Sequence, residues 1–141
     1  AAPELLHAWD EFEDGITHSI QAVFPTLAFH FTLNSLAVRY FTPRGHDQTE
    51  LYWIYLGYED DTDEQTDLRI MQGNLTGAAG LVSLEDGCIN EFVQRGTSGS
   101  TGHSAFMEMG GRDVESTEAS RATEVAIRGF WTGYRQIMGF D

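Results

Sequence analysis

The group in this chain best placed by its spacing to do chemistry is the carboxylate of Asp86. Leu68, Met71, Leu75, Ala79 and Val82 recur at three- and four-residue steps, the stripe of an amphipathic helix facing a core. One further step of four residues reaches Asp86. If helical geometry holds that far, the carboxylate points into the core, where an ionised group is costly unless it is paired or bound to a metal. Glu85 and Glu91 would then face other directions. On a second reading the helix ends near Leu84, and Asp86-Gly87 is an exposed turn whose carboxylate bonds local backbone amides. Spacing alone leaves both open.

The five histidines are His7, His18, His30, His46 and His103, and no two of them are five residues apart. His18 and His30 fall in the first strand region, where backbone or water can satisfy a strand-face imidazole. His46 and His103 fall in loops and read as solvated. Cys88, the one cysteine, excludes an internal disulfide framework and fits a reducing cytoplasm. It reads as a small packed residue rather than a ligand. Tyr52, Trp53, Tyr55, Phe130 and Trp131 read as core or subunit contacts.

The elements that must position these groups follow from the apolar pattern. Residues 19–33 predict a strand region interrupted by Pro25, a sign of an edge position or a bulge. Leu36, Val38 and Tyr40 alternate with Ala37, Arg39 and Phe41, and Pro43-Arg44-Gly45 closes that strand. Residues 51–58 are nearly all apolar, as in a strand covered on both faces. Short connections favour an antiparallel meander. Gly73, Gly77 and Gly80 interrupt the helical stripe, each costing up to about 1 kcal/mol against Ala unless close approach or a kink requires it. Residues 88–95 continue the helical region, with Gly96 as a stop. A Gly/Ser/Thr loop over 96–102, a short strand over 104–109 and a Gly110-Gly111 turn come next. A last helix runs from about Thr123, which caps it, to Gly139. The expected fold is α+β: one segment, 1–141, with an antiparallel sheet, a long glycine-containing helix and a C-terminal helix.

Composition narrows the partners. The net charge of −14, from 22 acidic and 8 basic residues, argues against nucleic acid and anionic membrane. The run Glu59-Asp60-Asp61-Thr62-Asp63-Glu64 reads as a solvated turn and helix start. The longest apolar runs are strand-sized, and nothing resembles a signal peptide or a membrane span. The opening Ala1-Ala2-Pro3-Glu4 lacks an initiator methionine, and the expectation is a segment of a longer, cytoplasmic polypeptide.

Gly77-Ala78-Ala79-Gly80, then Ser83-Leu84-Glu85-Asp86-Gly87, then Glu91-Phe92-Val93-Gln94-Arg95-Gly96 resemble the C-terminal iron-ligand helix of Rieske non-haem iron oxygenases. In that family a glycine- and alanine-rich stretch leads into an acidic pair and a Gln-Arg-Gly ending. Val23-Phe24-Pro25 resembles the strand opening of its catalytic sheet, Phe41-Thr42-Pro43-Arg44-Gly45 the following turn, and Ile127-Arg128-Gly129-Phe130-Trp131 its terminal helix. These words run in the family's order along nearly the whole chain. The resemblance implies the C-terminal part of the catalytic domain of an aromatic-ring-hydroxylating large (alpha) subunit, of helix-grip, Bet v1-like type. It implies that Asp86 is a ligand of a mononuclear Fe(II), and that His18, Ile20, His30 and Thr76 border the substrate cavity.

Oxygenases of this class hold Fe(II) with two histidines and one carboxylate on one face, leaving positions open for O2 and substrate. The family's histidine ligands come from Asp-x-x-His-x-x-x-x-His on an earlier helix, and that spacing does not occur here. The Cys-x-His and Cys-x-x-His words of the Rieske [2Fe-2S] cluster are also absent. The resemblance thus gives this segment one of three iron ligands and no activity alone. The missing N-terminal part would hold the Rieske domain and the histidine-ligand helix. The full subunit is expected to take electrons from NAD(P)H through a ferredoxin or reductase. It would hydroxylate an aromatic acid of the salicylate, anthranilate or benzoate kind with O2, as a homotrimer with a small (beta) subunit. The alternatives are a helix-grip module that holds a hydrophobic ligand without catalysis, or a segment serving subunit packing. An upstream Asp-x-x-His-x-x-x-x-His word discriminates the oxygenase from the binding module.

Overall fold

Four strands in sequence order form the sheet. The first region is two strands rather than one: β1 (His18–Val23) and β2 (Leu27–Thr32) pair antiparallel from His18↔Thr32 to Val23↔Leu27. The Phe24-Pro25 peptide between them is cis. Proline removes a ladder donor and favours a reversal of the chain there over a bulge. β3 (Ser35–Pro43) and β4 (Thr49–Leu56) complete an antiparallel meander of order β1-β2-β3-β4. This computed structural model describes residues 3–107, 114 and 124–140, which fall in two compact units, Ala1–Thr101 and Gly102–Asp141.

Strand register sorts the side chains onto two faces. Ile20↔His30, His30↔Ala37 and Ala37↔Tyr55 share one face, with His18↔Thr32, Ala28↔Arg39 and Arg39↔Trp53. Ala28, His30, Ser35 and Ala37 are buried on that face. Phe29, Tyr40, Tyr52 and Ile54 occupy the other and are exposed. The expectation that residues 51–58 are covered on both faces is therefore corrected, since the described elements cover one.

Helix α1 (Asp63–Thr76) starts in a capping box: the Gln65 amide donates to the Thr62 hydroxyl, and the Thr62 amide donates to the Gln65 side chain. Its buried face is not the apolar stripe. Arg69, Gln72, Gly73 and Thr76 are buried, whereas Leu68, Met71 and Leu75 are half-buried. Hydrogen bonds to two turns hold this polar face. Gln72 Oε1 accepts from the Asn34 amide at 2.8 Å, and Gln72 Nε2 donates to the His7 carbonyl at 2.7 Å. Arg69 donates to the Asn34 carbonyl at 2.7 Å and pairs with Glu11 and Asp61, each at 2.8 Å. Its guanidinium lies 5.0 Å from the Trp9 ring and 5.1 Å from Tyr58. Burial works against the Arg69 charge, but the bonds to Asp61 and Glu11 outweigh it and raise its pKa. One member of the acidic run, Asp61, is thus buried in an ion pair rather than solvated.

The helical region breaks at 77–80. The Gly77 amide donates to the Gly73 carbonyl at 2.7 Å, and the Gly80 amide to the Gly77 carbonyl at 2.8 Å. A Cβ on Gly77 would fall 1.5 Å from Tyr55 Oη, so β4 approaches too closely for any side chain there. After this turn α2 (Leu81–Ser98) runs without interruption through Asp86, Gly87 and Gly96 to its C-cap, Gly99. Neither a stop near Leu84 nor one at Gly96 occurs. The break redirects the chain, so the stripe of α1 does not continue, and no residue of α2 is buried. Cys88 on this helix is exposed rather than packed.

In the second unit, α3 (Val125–Met138) ends at Gly139 in the left-handed conformation, φ 69°. Phe130, Trp131 and Tyr134 make successive edge-to-face contacts along it. Residues 103–107 form no strand; residues 108–109, the Gly110-Gly111 turn and the Thr123 cap lie outside the described residues. No described helix is long and apolar enough to cross a membrane.

Candidate functional site

The helix-facing side of the sheet carries a polar cluster. Thr32 Oγ1 lies 2.8 Å from His18 Nδ1 and 2.7 Å from His30 Nε2, so one hydroxyl joins two imidazoles. The two rings meet edge to face at 5.8 Å, and the His30 ring is 5.4 Å from Trp53. Arg39 sits over Trp53, its guanidinium carbon 5.1 Å from the ring centroid. His30 is 7% exposed. Three buried nitrogens here have no hydrogen-bond partner among the described residues: His30 Nδ1, Arg39 Nε and Trp53 Nε1. Leaving such groups unpaired is costly, and their grouping marks a place for an acceptor.

Electrostatics follow from the same packing. Burial, then the Arg39 charge, then His18, lower the His30 pKa to about 4, so this imidazole is neutral at neutral pH. Burial also lowers the pKa of Arg39, and the Asp86 charge opposes that shift. Arg39, Phe41 and Trp53 from the sheet and Ser83, Asp86 and Asn90 from α2 line one cleft of about 890 Å3. Asp86 is exposed in it, in the second turn of a continuous helix, so the exposed-turn reading fails on conformation and the buried-face reading on exposure.

A carboxylate oxygen free to face a cleft suits Fe(II), and Asp86 fits as one donor of such a site. Among the described residues no three His, Cys, Asp or Glu side chains are grouped to hold a metal ion. Of the residues expected at the cavity, His18, Ile20 and His30 come together, with Ile20 paired to His30 across β1 and β2. Thr76 is buried at the end of α1, where its carbonyl accepts from the Ser83 hydroxyl at 2.8 Å. Sequence reasoning missed Thr32, Arg39 and Trp53. Period-two alternation offered a signal for Arg39, a cation on the same face as Ala37 in a mostly apolar strand.

A four-stranded antiparallel sheet followed by helices defines an α+β domain. Residues 2–139 match the family described as the ring hydroxylating alpha subunit (catalytic domain), and the chain belongs to that family. It is 48% identical over 97% of its length to the terephthalate 1,2-dioxygenase terminal oxygenase component subunit alpha 2 of Comamonas sp, covering 33% of that protein. It is 39% identical over 96% of its length to the anthranilate 1,2-dioxygenase large subunit of Burkholderia cepacia, covering 32% of it. Identity to the salicylate 5-hydroxylase large oxygenase component of Ralstonia sp is 36%, over 89% of this chain and 29% of that one. The chain thus spans about a third of the length of these curated relatives.

Proposed function

We propose that this chain is the C-terminal part of the catalytic domain, of helix-grip type, in the large subunit of a Rieske non-haem iron oxygenase hydroxylating an aromatic carboxylic acid. The observation that carries the reading is the pair of unpartnered buried nitrogens on Arg39 and Trp53, which line the cleft that Asp86 faces, with a third on His30, whose ring lies 5.4 Å from Trp53. The three relatives are named for aromatic acids, each with a carboxylate. A carboxylate accepts two or more hydrogen bonds, and a guanidinium gives it both charge and direction. Arg39 and Trp53 donate to the substrate carboxylate, His30 completes the set, and Ile20 packs against the ring. His18 and Thr76 border the cavity.

Asp86 contributes the carboxylate ligand to a mononuclear Fe(II), whose histidine ligands come from the rest of the subunit. When bound, that iron supplies the site at which O2 is reduced with electrons arriving through a [2Fe-2S] Rieske cluster. Within this chain, α2 holds the Asp86 side chain, and the sheet orients the ring relative to it. A ferredoxin or reductase fed by NAD(P)H, a small (beta) subunit, a trimeric assembly and a cytoplasmic location complete the reading. Neither nucleic acid nor membrane is a partner, consistent with the acidic charge. The test is Asp86→Ala in the full-length subunit. Mononuclear iron is lost while the Rieske spectrum survives; unchanged iron content removes Asp86 from the site. An upstream Asp-x-x-His-x-x-x-x-His word must also be present, and its absence sinks the oxygenase reading.

A further inference from the structure

We propose that Thr32 and His18 are positioning residues that fix His30 as a hydrogen-bond donor at Nδ1, toward the carboxylate of an aromatic acid in the cleft. The proposal rests on the substrate reading above. Its basis is proton counting at one hydroxyl. Thr32 Oγ1 lies within hydrogen-bond distance of both His18 Nδ1 and His30 Nε2 but has a single proton, so it donates to one ring and accepts from the other. When Thr32 donates to His30 Nε2, the one proton of neutral His30 sits at Nδ1, and His18 supplies an Nδ1–H to Thr32. In the opposite arrangement, His30 Nε2 donates to Thr32 and Nδ1 presents a lone pair.

The surroundings of Nδ1 decide between these states. His30 is 7% exposed, and its Nδ1 has no partner among the described residues. The other unpartnered atoms in the cluster, Arg39 Nε and Trp53 Nε1, are both donors. A carboxylate seated against those two N–H groups would repel a lone pair on His30 and accept a proton from it. The lowered His30 pKa keeps the ring from carrying both protons, so the choice of tautomer is the variable. His18 is exposed on β1, the strand at the sheet edge, and it acts on that choice through the Thr32 hydroxyl. A ligand binding one tautomer has its apparent affinity divided by that tautomer's population, which is how residues that never touch the ligand can tune its binding.

The experiment uses the full-length, iron-loaded subunit with benzoate as the binding probe and 15N-histidine labelling for the tautomer. Thr32→Val keeps the side-chain shape and removes the hydroxyl. It is expected to weaken benzoate binding several-fold, as the affinity is divided by the share of His30 that keeps its proton at Nδ1, and to move the His30 nitrogen signals away from the Nδ1–H pattern. Thr32→Ser restores both. His18→Phe reproduces the loss of the fixed tautomer, and His18→Asn, with an amide donor, largely retains it. Arg39→Met separates the two levels of the argument. If Arg39→Met weakens benzoate binding and Thr32→Val changes neither affinity nor tautomer, the relay is overturned and the substrate reading stands. If Arg39→Met leaves benzoate binding intact, the carboxylate reading falls and the proposal with it. An unchanged Rieske spectrum and melting temperature in each variant certify folding, and Thr32→Ser serves where the valine variant does not fold.

Discussion

Gly77→Ala is expected to be among the most damaging small substitutions in the described chain. A Cβ at this position would lie 1.5 Å from Tyr55 Oη, 2.8 Å from Tyr55 Cζ and 2.4 Å from the Gly73 carbonyl oxygen. Tyr55 can swing aside only by giving up its 3.3 Å bond to that same carbonyl. The carbonyl cannot move without opening the last turn of α1, which is closed by the Gly77 amide at 2.7 Å. Overpacking a well-filled site costs about 1–3 kcal/mol, and a clash with backbone belongs at the upper end, about 3 kcal/mol. Amide exchange across residues 63–98 of the full-length subunit, where exchange follows the opening equilibrium, should then accelerate about a hundredfold. Because α2 begins at Leu81, directly beyond the turn, the same variant should bind less mononuclear iron. Gly96→Ala is the control. Gly96 is helical with nothing within 4 Å of the added carbon, so alanine should stabilise by about 0.5–1 kcal/mol and slow local exchange a few-fold. Equal behaviour of the two variants, or unchanged exchange in Gly77→Ala, would refute the close-approach argument.

Two further outcomes concern charge. Arg69→Met leaves Glu11 and Asp61, whose side chains are 3% and 6% exposed, without their cation, and the melting temperature of the subunit should fall by several degrees. The hydrogen bond from Arg69 holds the Asp61 pKa below 3.8, so the parent keeps this contribution above that value and loses it only at lower pH. Without that bond the Asp61 carboxylate of the variant protonates in milder acid, so the gap to the parent should narrow between pH 7 and pH 4.5; a constant gap would exclude an ion-pair origin. His30, with its pKa lowered from 6.5 to about 4, has the opposite window from a paired histidine. Between those values the unfolded chain binds more protons, so stability is lost as pH falls from 6.5 toward 4. The loss is on the order of 2 kcal/mol after discounting for solvent screening at an open cleft. Urea midpoints across that range should decline less steeply in His30→Asn, and parallel slopes would remove His30 as the cause.

Much of the fold was legible because it is local. Alternation at Leu36–Val38–Tyr40 and the short connections gave the meander, and the words around Asp86 gave the family, as the match over residues 2–139 bears out. What sequence alone did not show depends on partners distant along the chain. Glycine is required at 77, where α1 ends, because Tyr55 of β4 occupies the space a side chain would need. The polar face of α1 is buried because Glu11, Asn34 and Asp61 meet Arg69. Pro25 read as an interruption of one strand region, whereas the chain reverses there and the region is two paired strands. Thr32 carried no signal of its own, since nothing in its neighbourhood announces two histidines reached from both sides.

The ion pair between Arg69 and Glu11 has a meaning beyond its strength. Each strand of the meander pairs with its neighbour in sequence, so the sheet closes only short loops. Arg69 and Glu11 are separated by 58 residues, and their contact encloses the whole sheet. Loop-closure entropy grows with the logarithm of loop length, so with the meander already paired much of that cost has been met before the clasp forms. The polar clasp is thus an assembly check: it closes only when N-terminal segment, sheet and α1 have all reached their places, and α1 is the element from which the Asp86 helix departs.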